Sequence, residues 1–397
     1  MKKNEDIVKL TEKYLIANYA RFSIALVKGK GVKVWDQSGK EYIDFVSGVA
    51  ANNLGHCHPK VVQAIRKQAG ELLHVSNLYH IGPQSRLAAE LTRVSFAQKV
   101  FFCNSGTEAT EAAIKLARRF SYDQGYKNRH EIITMKNSFH GRTMGALSAT
   151  AQKKLRAGFG PMLKGFKHIP FNDIDAAKKA VSPKTCAIMV EPIQGEAGVN
   201  IASKKWMQAL RKLCDANNLL LILDEVQTGF GRTGTLFAYE QFDVKPDIIA
   251  LAKGLGGGVA IGAMATSGKV AKSFPPGSHG TTLGGNPLAC SAALASLEVL
   301  GKKSFLQDTK KKGEYFKSRL VKLSEKFDVV EEVRGMGMIL AMDLKKPSAE
   351  VVLDCMRQGV LINGIKPGTL RFLPPLTASR KDIDKVIRAL SVSLAKL

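Results

Sequence analysis

An aspartate at position 224 and a lysine at position 253 offer the most distinctive chemistry in this chain. Asp224 closes the apolar run Leu219-Leu220-Leu221-Ile222-Leu223, and Lys253 follows the run Ile248-Ile249-Ala250-Leu251 after a single alanine. Each run reads as a buried parallel strand, and in open α/β sheets ligands gather beyond the carboxyl ends of the strands. A carboxylate and a primary amine at neighbouring strand ends can address opposite ends of one pyridine ring. The amine takes an aldehyde carbon as a Schiff base, and the acid keeps the ring nitrogen protonated so that the ring accepts electrons. Those are the protein's tasks in pyridoxal-phosphate chemistry. Alone, Asp224 is an ordinary strand-end cap and Lys253 an ordinary loop lysine. Their matched placement points to a cofactor site.

Other residues could complete it. Asn104-Ser105-Gly106-Thr107-Glu108 stands between the strand Val100-Phe101-Phe102 and a helix. A glycine turn there exposes backbone amides and the positive end of the helix dipole, a natural phosphate site. The Ser105 to Glu108 spacing is also that of a capping box, and the two roles are compatible. Phe139, after the strand Ile132–Met135, can stack on a planar ring or fill the core, and nearby Arg142 can clamp a carboxylate through paired N–H groups. Glu191 and Glu196 follow another strand. Arg371 lies among Leu370, Phe372 and Leu373, where an unpaired charge is costly, so it requires an acid or an anionic ligand. His56-Cys57-His58 cannot easily share one ion and has no partner pair at zinc spacing, so it reads as the turn before a helix at Pro59, and no metal is expected.

Positioning these residues calls for alternating elements. Helical periods cover 59–72, 83–94, 106–119 and 203–217, and apolar strands cover 99–102, 131–135, 185–190, 219–223 and 247–251. That alternation predicts an α/β domain with a mostly parallel sheet and helices on both faces. Residues 5–18 have the period of a short amphipathic helix, and Val32–Trp35 with Tyr42–Phe45 read as a hairpin. Beyond residue 290 the texture changes: helices over 288–300 and 305–325, short strands at 329–330 and 338–342, then helices over 347–358 and 380–395. The expected division is an N-terminal segment, 1–55, joining a small α+β domain at 291–397, with a large cofactor-binding domain over 56–290.

Composition narrows the class. No stretch approaches the roughly 20 apolar residues that span a bilayer, and no secretory signal is visible, so a cytoplasmic protein is expected. The six cysteines are dispersed, as suits buried reduced thiols. With 59 basic against 34 acidic residues the net charge is +25, which raises a nucleic-acid-binding alternative. The lysines are spread along the chain, however, and the densest run, Lys310-Lys311-Lys312, has no interleaved aromatics. A solvated basic surface that assists capture of anionic substrates is the expectation.

At this point the chain resembles the class III pyridoxal-phosphate aminotransferases, from the Asn18-Tyr19 region to Ile387. The motifs that carry the resemblance are Gly55-His56-Cys57-His58-Pro59, Asn104–Ala109, Asp224–Gly234 and Leu251-Ala252-Lys253-Gly254, in the family's order. Ser76–Tyr79, Ser138–Thr143 and Pro170–Asp173 are similar to the acetylornithine subgroup.

The resemblance implies an aspartate-aminotransferase-type fold (fold type I) and the cofactor pyridoxal 5'-phosphate. Ser105, Gly106 and Thr107 would hold its phosphate and Phe139 would stack on its ring. Asp224 would pair with the ring nitrogen and Gln227 would reach the ring hydroxyl, with Lys253 as Schiff-base lysine and proton shuttle. Arg142 and Arg371 would bind substrate carboxylates, with Glu196 masking Arg371. Thr281 and Thr282 would come from the other subunit of a homodimer. The implied reaction passes the terminal amine of N-acetylornithine to 2-oxoglutarate in ping-pong order. Ornithine, 4-aminobutyrate and succinyl-diaminopimelate are the alternative donors; ornithine is disfavoured because Val49 stands where ornithine aminotransferases carry tyrosine. Thr110 and Ala260 also depart from the family's usual asparagine and proline.

Overall fold

The apolar runs around Asp224 and Lys253 pair side by side as the parallel strands Leu220–Asp224 and Ile248–Leu251, with Asp224 opposite Ala250. They lie within a seven-stranded sheet of the computed structural model, which describes residues 6–397. Across the sheet the order is Lys99–Cys103, Gly262–Thr266, Ile248–Leu251, Leu220–Asp224, Thr185–Val190, Glu131–Met135 and Phe166–Ile169. All run in one direction except Gly262–Thr266, which is antiparallel to both neighbours. The fold is therefore α/β, as expected.

Alternate strand residues enter different packing layers. Ile222, Met189 and Ile248 pack with Ala112, Ala113 and Leu116 of the helix Gly106–Asp123, whereas Leu223, Val190 and Ile249 pack with Trp206, Leu210 and Leu297. With both faces covered, the central strands have no polar side to show, which is why they read as unbroken apolar runs. Two strands of this sheet escaped the sequence reading. Gly262–Thr266 is made of small residues with little strand preference, and Phe166–Ile169 carries Lys167 and His168.

The C-terminal region holds an antiparallel sheet ordered Val330–Met336, Ile339–Leu344, Thr369–Phe372, Asn363–Lys366, on which the helix Lys303–Lys326 packs. The N-terminal hairpin forms with Val34 opposite Tyr42, and its second strand, Glu41–Asp44, also pairs with Val360–Leu361. The helix expected over 5–18 spans Ile7–Tyr14, capped by Asp6, with residue 5 outside the described residues. It buries none of its residues, so no packed face extends it further.

Two details of the composition reading change. Lys312, in the basic run, points inward: Nζ donates to Leu376 O at 2.6 Å and pairs with Asp308 at 2.7 Å. Of the cysteines, all free, Cys57 is exposed and the others are buried. No helix among the described residues is long and apolar enough to cross a membrane, and no cluster of three or more His, Cys, Asp or Glu among them could hold a metal ion.

Candidate active site

A cavity of about 440 Å³ opens at the carboxyl ends of the parallel strands. Its wall includes Ser105, Gly106, Thr107, Phe139, Arg142, Glu196, Asp224, Gln227 and Lys253, so most of the candidate residues come together there. Arg371 stands fully buried behind the wall and reaches it through Glu196. Thr281 and Thr282 do not line the cavity of their own chain. Thr281 Oγ1 accepts from Asn104 Nδ2 at 3.1 Å, and Thr282 is exposed.

Asp224 is held from two sides: Oδ1 accepts the Val226 amide at 3.0 Å and Oδ2 lies 2.8 Å from His140 Nδ1. Nearby Glu191 accepts the Phe139 amide at 2.8 Å. Burial, reinforced by the Asp224 charge, pushes the Glu191 carboxyl well above the usual carboxylate range. The next residue, Glu225, faces away and accepts the amides of Ala238 and Tyr239 at 2.8 and 2.7 Å.

Lys253 sits just beyond its strand with φ of 44°, a left-handed conformation unusual for a residue with a side chain. Burial of its amine lowers its pKa from the ordinary lysine value, with Arg371 adding to the effect and Glu196 opposing it. A neutral amine is the nucleophilic form. Arg371, on the strand Thr369–Phe372, donates to Glu196 Oε1 at 2.7 Å and to Gly195 O at 2.9 Å. Gln227 Nε2 donates to the same Glu196 oxygen at 3.0 Å, leaving Gln227 Oε1 buried without a partner. Burial pushes Glu196 up, but Arg371 and Lys253 hold it below its usual value, so the pair is ionic.

The turn at Gly106 opens the helix Gly106–Asp123. Ser105 is its N-cap, and Glu108 folds back to accept the Asn104 amide at 2.9 Å and the Ser105 hydroxyl at 2.8 Å. The capping role is therefore filled, while the amides of Gly106 and Thr107 keep no protein acceptor among the described residues. A Cβ at Gly106 would come within 2.7 Å of Val226 Cγ1, so the turn must be glycine to pass beneath the next loop. Phe139 is half-buried, with the Arg142 guanidinium 5.5 Å from its ring.

His140, Glu191 and Glu111 had no assigned role in the sequence reading. His140 belongs to a motif quoted there, and Glu191 stands immediately past an apolar strand, the signal available for it. Arg232 is another: fully buried without an acid, it donates to Met338 O, Pro374 O and Asn53 Oδ1 and ties the loop after Asp224 to the C-terminal strands. Burial lowers its pKa to about 9.

These residues fit pyridoxal phosphate. Free helix-start amides suit the phosphate, a buried carboxylate suits a ring nitrogen, the unpartnered Gln227 Oε1 suits a ring hydroxyl, and a desolvated lysine suits an aldehyde.

The chain is similar to known proteins over nearly its whole length. The model of the class-III aminotransferases matches residues 14–394. An acetylornithine aminotransferase of Caldanaerobacter subterraneus subsp. tengcongensis is 50% identical over 98% of this chain and 100% of its own. The acetylornithine aminotransferase structure from Elizabethkingia anophelis aligns with a TM-score of 0.89 at 34% identity, covering 98% of both chains. The ornithine aminotransferase of Toxoplasma gondii, described with partial occupancy of PLP at its active site, aligns with a TM-score of 0.95 at 33% identity over 100% of this chain and 95% of its own. The nucleic-acid alternative raised by the net charge gains nothing from them. With that geometry and a match over nearly its whole length, the chain belongs to the class-III aminotransferases, pyridoxal-phosphate enzymes of the type I fold.

Proposed function

We propose that this enzyme transfers the terminal amino group of N-acetylornithine to 2-oxoglutarate, yielding N-acetylglutamate semialdehyde and glutamate, a step of arginine biosynthesis. The observation that carries the reading is the Arg371–Glu196 pair, 2.7 Å apart behind the cavity wall, with Arg142 exposed at the mouth. Glutamate presents a carboxylate at each end, whereas N-acetylornithine presents one, remote from the reacting amine. A site serving both needs one permanent cationic subsite and one that can be masked. Arg142 is the permanent subsite and Arg371 the masked one, with Glu196 taking its charge when the incoming end is an amine.

When bound, pyridoxal phosphate supplies a carbonyl for the amine and a ring that accepts the electron pair released at the reacting carbon. The chain does the rest. Gly106 and Thr107 offer amides to the phosphate, and Ser105 fixes that turn. Asp224, anchored by His140 and the Val226 amide, holds a proton on the ring nitrogen. Gln227 would meet the ring hydroxyl through its unpartnered Oε1, and Phe139 would stack on the ring. Lys253 would take up and return the proton at the reacting carbon.

We further infer a cytoplasmic homodimer with shared sites, in which Thr282 adds a hydroxyl and an amide to the neighbour's phosphate subsite and Thr281 borders the neighbour's substrate. The division into a large domain at 56–290 and a small one from 1–55 with 291–397 accords with the pairing of Glu41–Asp44 and Val360–Leu361. A donor panel tests the substrate. In single turnovers followed by cofactor absorbance, N-acetylornithine should react with a higher specificity constant than ornithine, 4-aminobutyrate or succinyl-diaminopimelate; a preference for any of these would replace it.

A further inference from the structure

The helix Gly106–Asp123 grips a second part of the site. Thr107 and Glu111 lie one turn apart on one helix face, and both reach the segment after Phe139. Thr107 Oγ1 accepts the amides of Arg142 at 3.1 Å and Thr143 at 3.2 Å, and stands 3.0 Å from Thr143 Oγ1. Glu111 Oε1 accepts the Thr143 hydroxyl at 2.5 Å and the amides of Gly145 at 2.9 Å and Ala146 at 3.1 Å.

The fit is close at both points. A Cβ on Gly141, whose φ is +135°, would come within 2.2 Å of Thr107 Oγ1, and one on Gly145 within 2.4 Å of Glu111 Oε2. The Arg142 side chain, by contrast, is exposed and makes no ion pair among the described residues, and its guanidinium lies over the Phe139 ring. Its location is set through its backbone. That backbone is tied to the phosphate turn by Thr107, and Thr107 is braced by Thr143, whose hydroxyl is committed to a carboxylate. Bonds to an ionised acceptor are the strong ones in such a chain.

We propose that Glu111 is a positioning residue for substrate binding, which fixes Arg142 relative to the phosphate turn by holding Thr143 and the start of the segment 144–149. The inference rests on the reading of Arg142 as the permanent carboxylate subsite. Because a single Glu111 oxygen receives all three donors, glutamine can present its carbonyl in the same place, whereas alanine cannot.

The test compares Glu111→Ala, Glu111→Gln, Thr143→Val and Arg142→Ala. Glu111→Ala should raise the KM for N-acetylornithine and the Kd of glutarate, a five-carbon dicarboxylate measured by calorimetry on the holoenzyme, by about ten-fold (~1.4 kcal/mol). Saturated kcat and retention of pyridoxal phosphate on dialysis should stay near wild type. Hydrogen exchange of residues 141–146, read by mass spectrometry, should quicken. Glu111→Gln should restore all three readouts, and Thr143→Val, which cuts the same link from the other side, should reproduce the rise in KM even where Glu111→Ala fails to fold. If Arg142→Ala leaves glutarate binding unchanged, the reading of Arg142 fails. If Arg142→Ala weakens it and neither Glu111→Ala nor Thr143→Val does, the role of Glu111 fails. Equal loss of cofactor and glutarate in Glu111→Ala would also overturn it, by marking Glu111 as a general support of the turn.

Discussion

His140 Nδ1 donates to Asp224 Oδ2 across 2.8 Å in a setting where both side chains are almost wholly buried, and His140 Nε2 has no partner among the described residues. The imidazole therefore acts on Asp224 and on no other side chain within hydrogen-bonding reach. Its backbone is fixed independently, by Thr150 Oγ1 at 2.8 Å and Thr110 Oγ1 at 2.7 Å, so replacing the ring need not move the loop. A hydrogen bond to a charged group contributes about 1.5–3 kcal/mol, so His140→Leu should lower kcat roughly 10–150-fold. His140→Asn should recover part of the loss. An unchanged kcat in His140→Leu would leave Asp224 sufficient by itself.

Lys253→Ala should retain pyridoxal phosphate through Asp224, Gln227 and the amides of Gly106 and Thr107, yet lose turnover. In the wild type, borohydride reduction followed by peptide mass mapping should find the cofactor on Lys253. An adduct on another lysine would move the assignment there.

Arg371→Ala strips the half-buried Glu196 carboxylate of its cation. Breaking such a pair costs on the order of 3–5 kcal/mol, so the glutamate half-reaction, which needs Arg371 free, should fall by about 100-fold or more. The N-acetylornithine half-reaction should suffer much less. Single-turnover rates measured separately decide the matter, and equal losses in both would refute masking by Glu196.

A mixed dimer tests the shared site. With Lys253→Ala on one chain and Thr282→Val on the other, a trans role for Thr282 gathers both defects in one site and leaves the second intact. Activity should then reappear on mixing, once tags prove subunit exchange and Thr282→Val is known to impair the homodimer. A cis role gives each site one defect, and mixing restores nothing.

His168 supplies a pH dependence. Its Nδ1 donates to Thr134 Oγ1 at 2.7 Å, that hydroxyl donates to Ala149 O at 2.9 Å, and Nε2 accepts from Arg156 at 3.1 Å, so the ring is held neutral. Burial, and after it Arg156, lowers its pKa to about 4. The unfolded chain takes up a proton near pH ~6.5 that the folded chain refuses, so stability present above that pH is lost as pH falls towards about 4. Urea unfolding across this range should give a shallower decline for His168→Gln than for the wild type.

Much of this site was legible in sequence because its residues follow apolar strands. Leu219–Leu223 and Ile248–Leu251 have no polar alternation, and that feature located Asp224 and Lys253 at the strand ends. The apolar neighbours of Arg371 showed that it needed a counter-charge; that Glu196 supplies it, 175 residues earlier, came from the family resemblance. His140 was harder, since its partner lies 84 residues away and no local pattern reports the pairing. Glu111 shares a helix face with Thr107, which spacing reveals, but what that face meets depends on a loop 34 residues later. Gly262–Thr266 escaped because its small residues answer to close neighbours rather than to strand preference: a Cβ on Gly262 would come within 2.3 Å of Ser105 O.

That reversed strand has a consequence for how the site can change over time. It lies between Lys99–Cys103, which delivers the phosphate turn, and Ile248–Leu251, which delivers Lys253, with Gly262 opposite Cys103 and Ala263 opposite Leu251. The two delivering strands are therefore two inter-strand spacings apart, roughly 10 Å. Backbone ladders make this a fixed gauge that no side-chain exchange can lengthen or shorten. Mutation can retune what the cavity wall recognises, residue by residue, while the reach from phosphate turn to lysine stays the same unless a strand is gained or lost. Substrate preference in this architecture is free to drift; the span across its sheet is not.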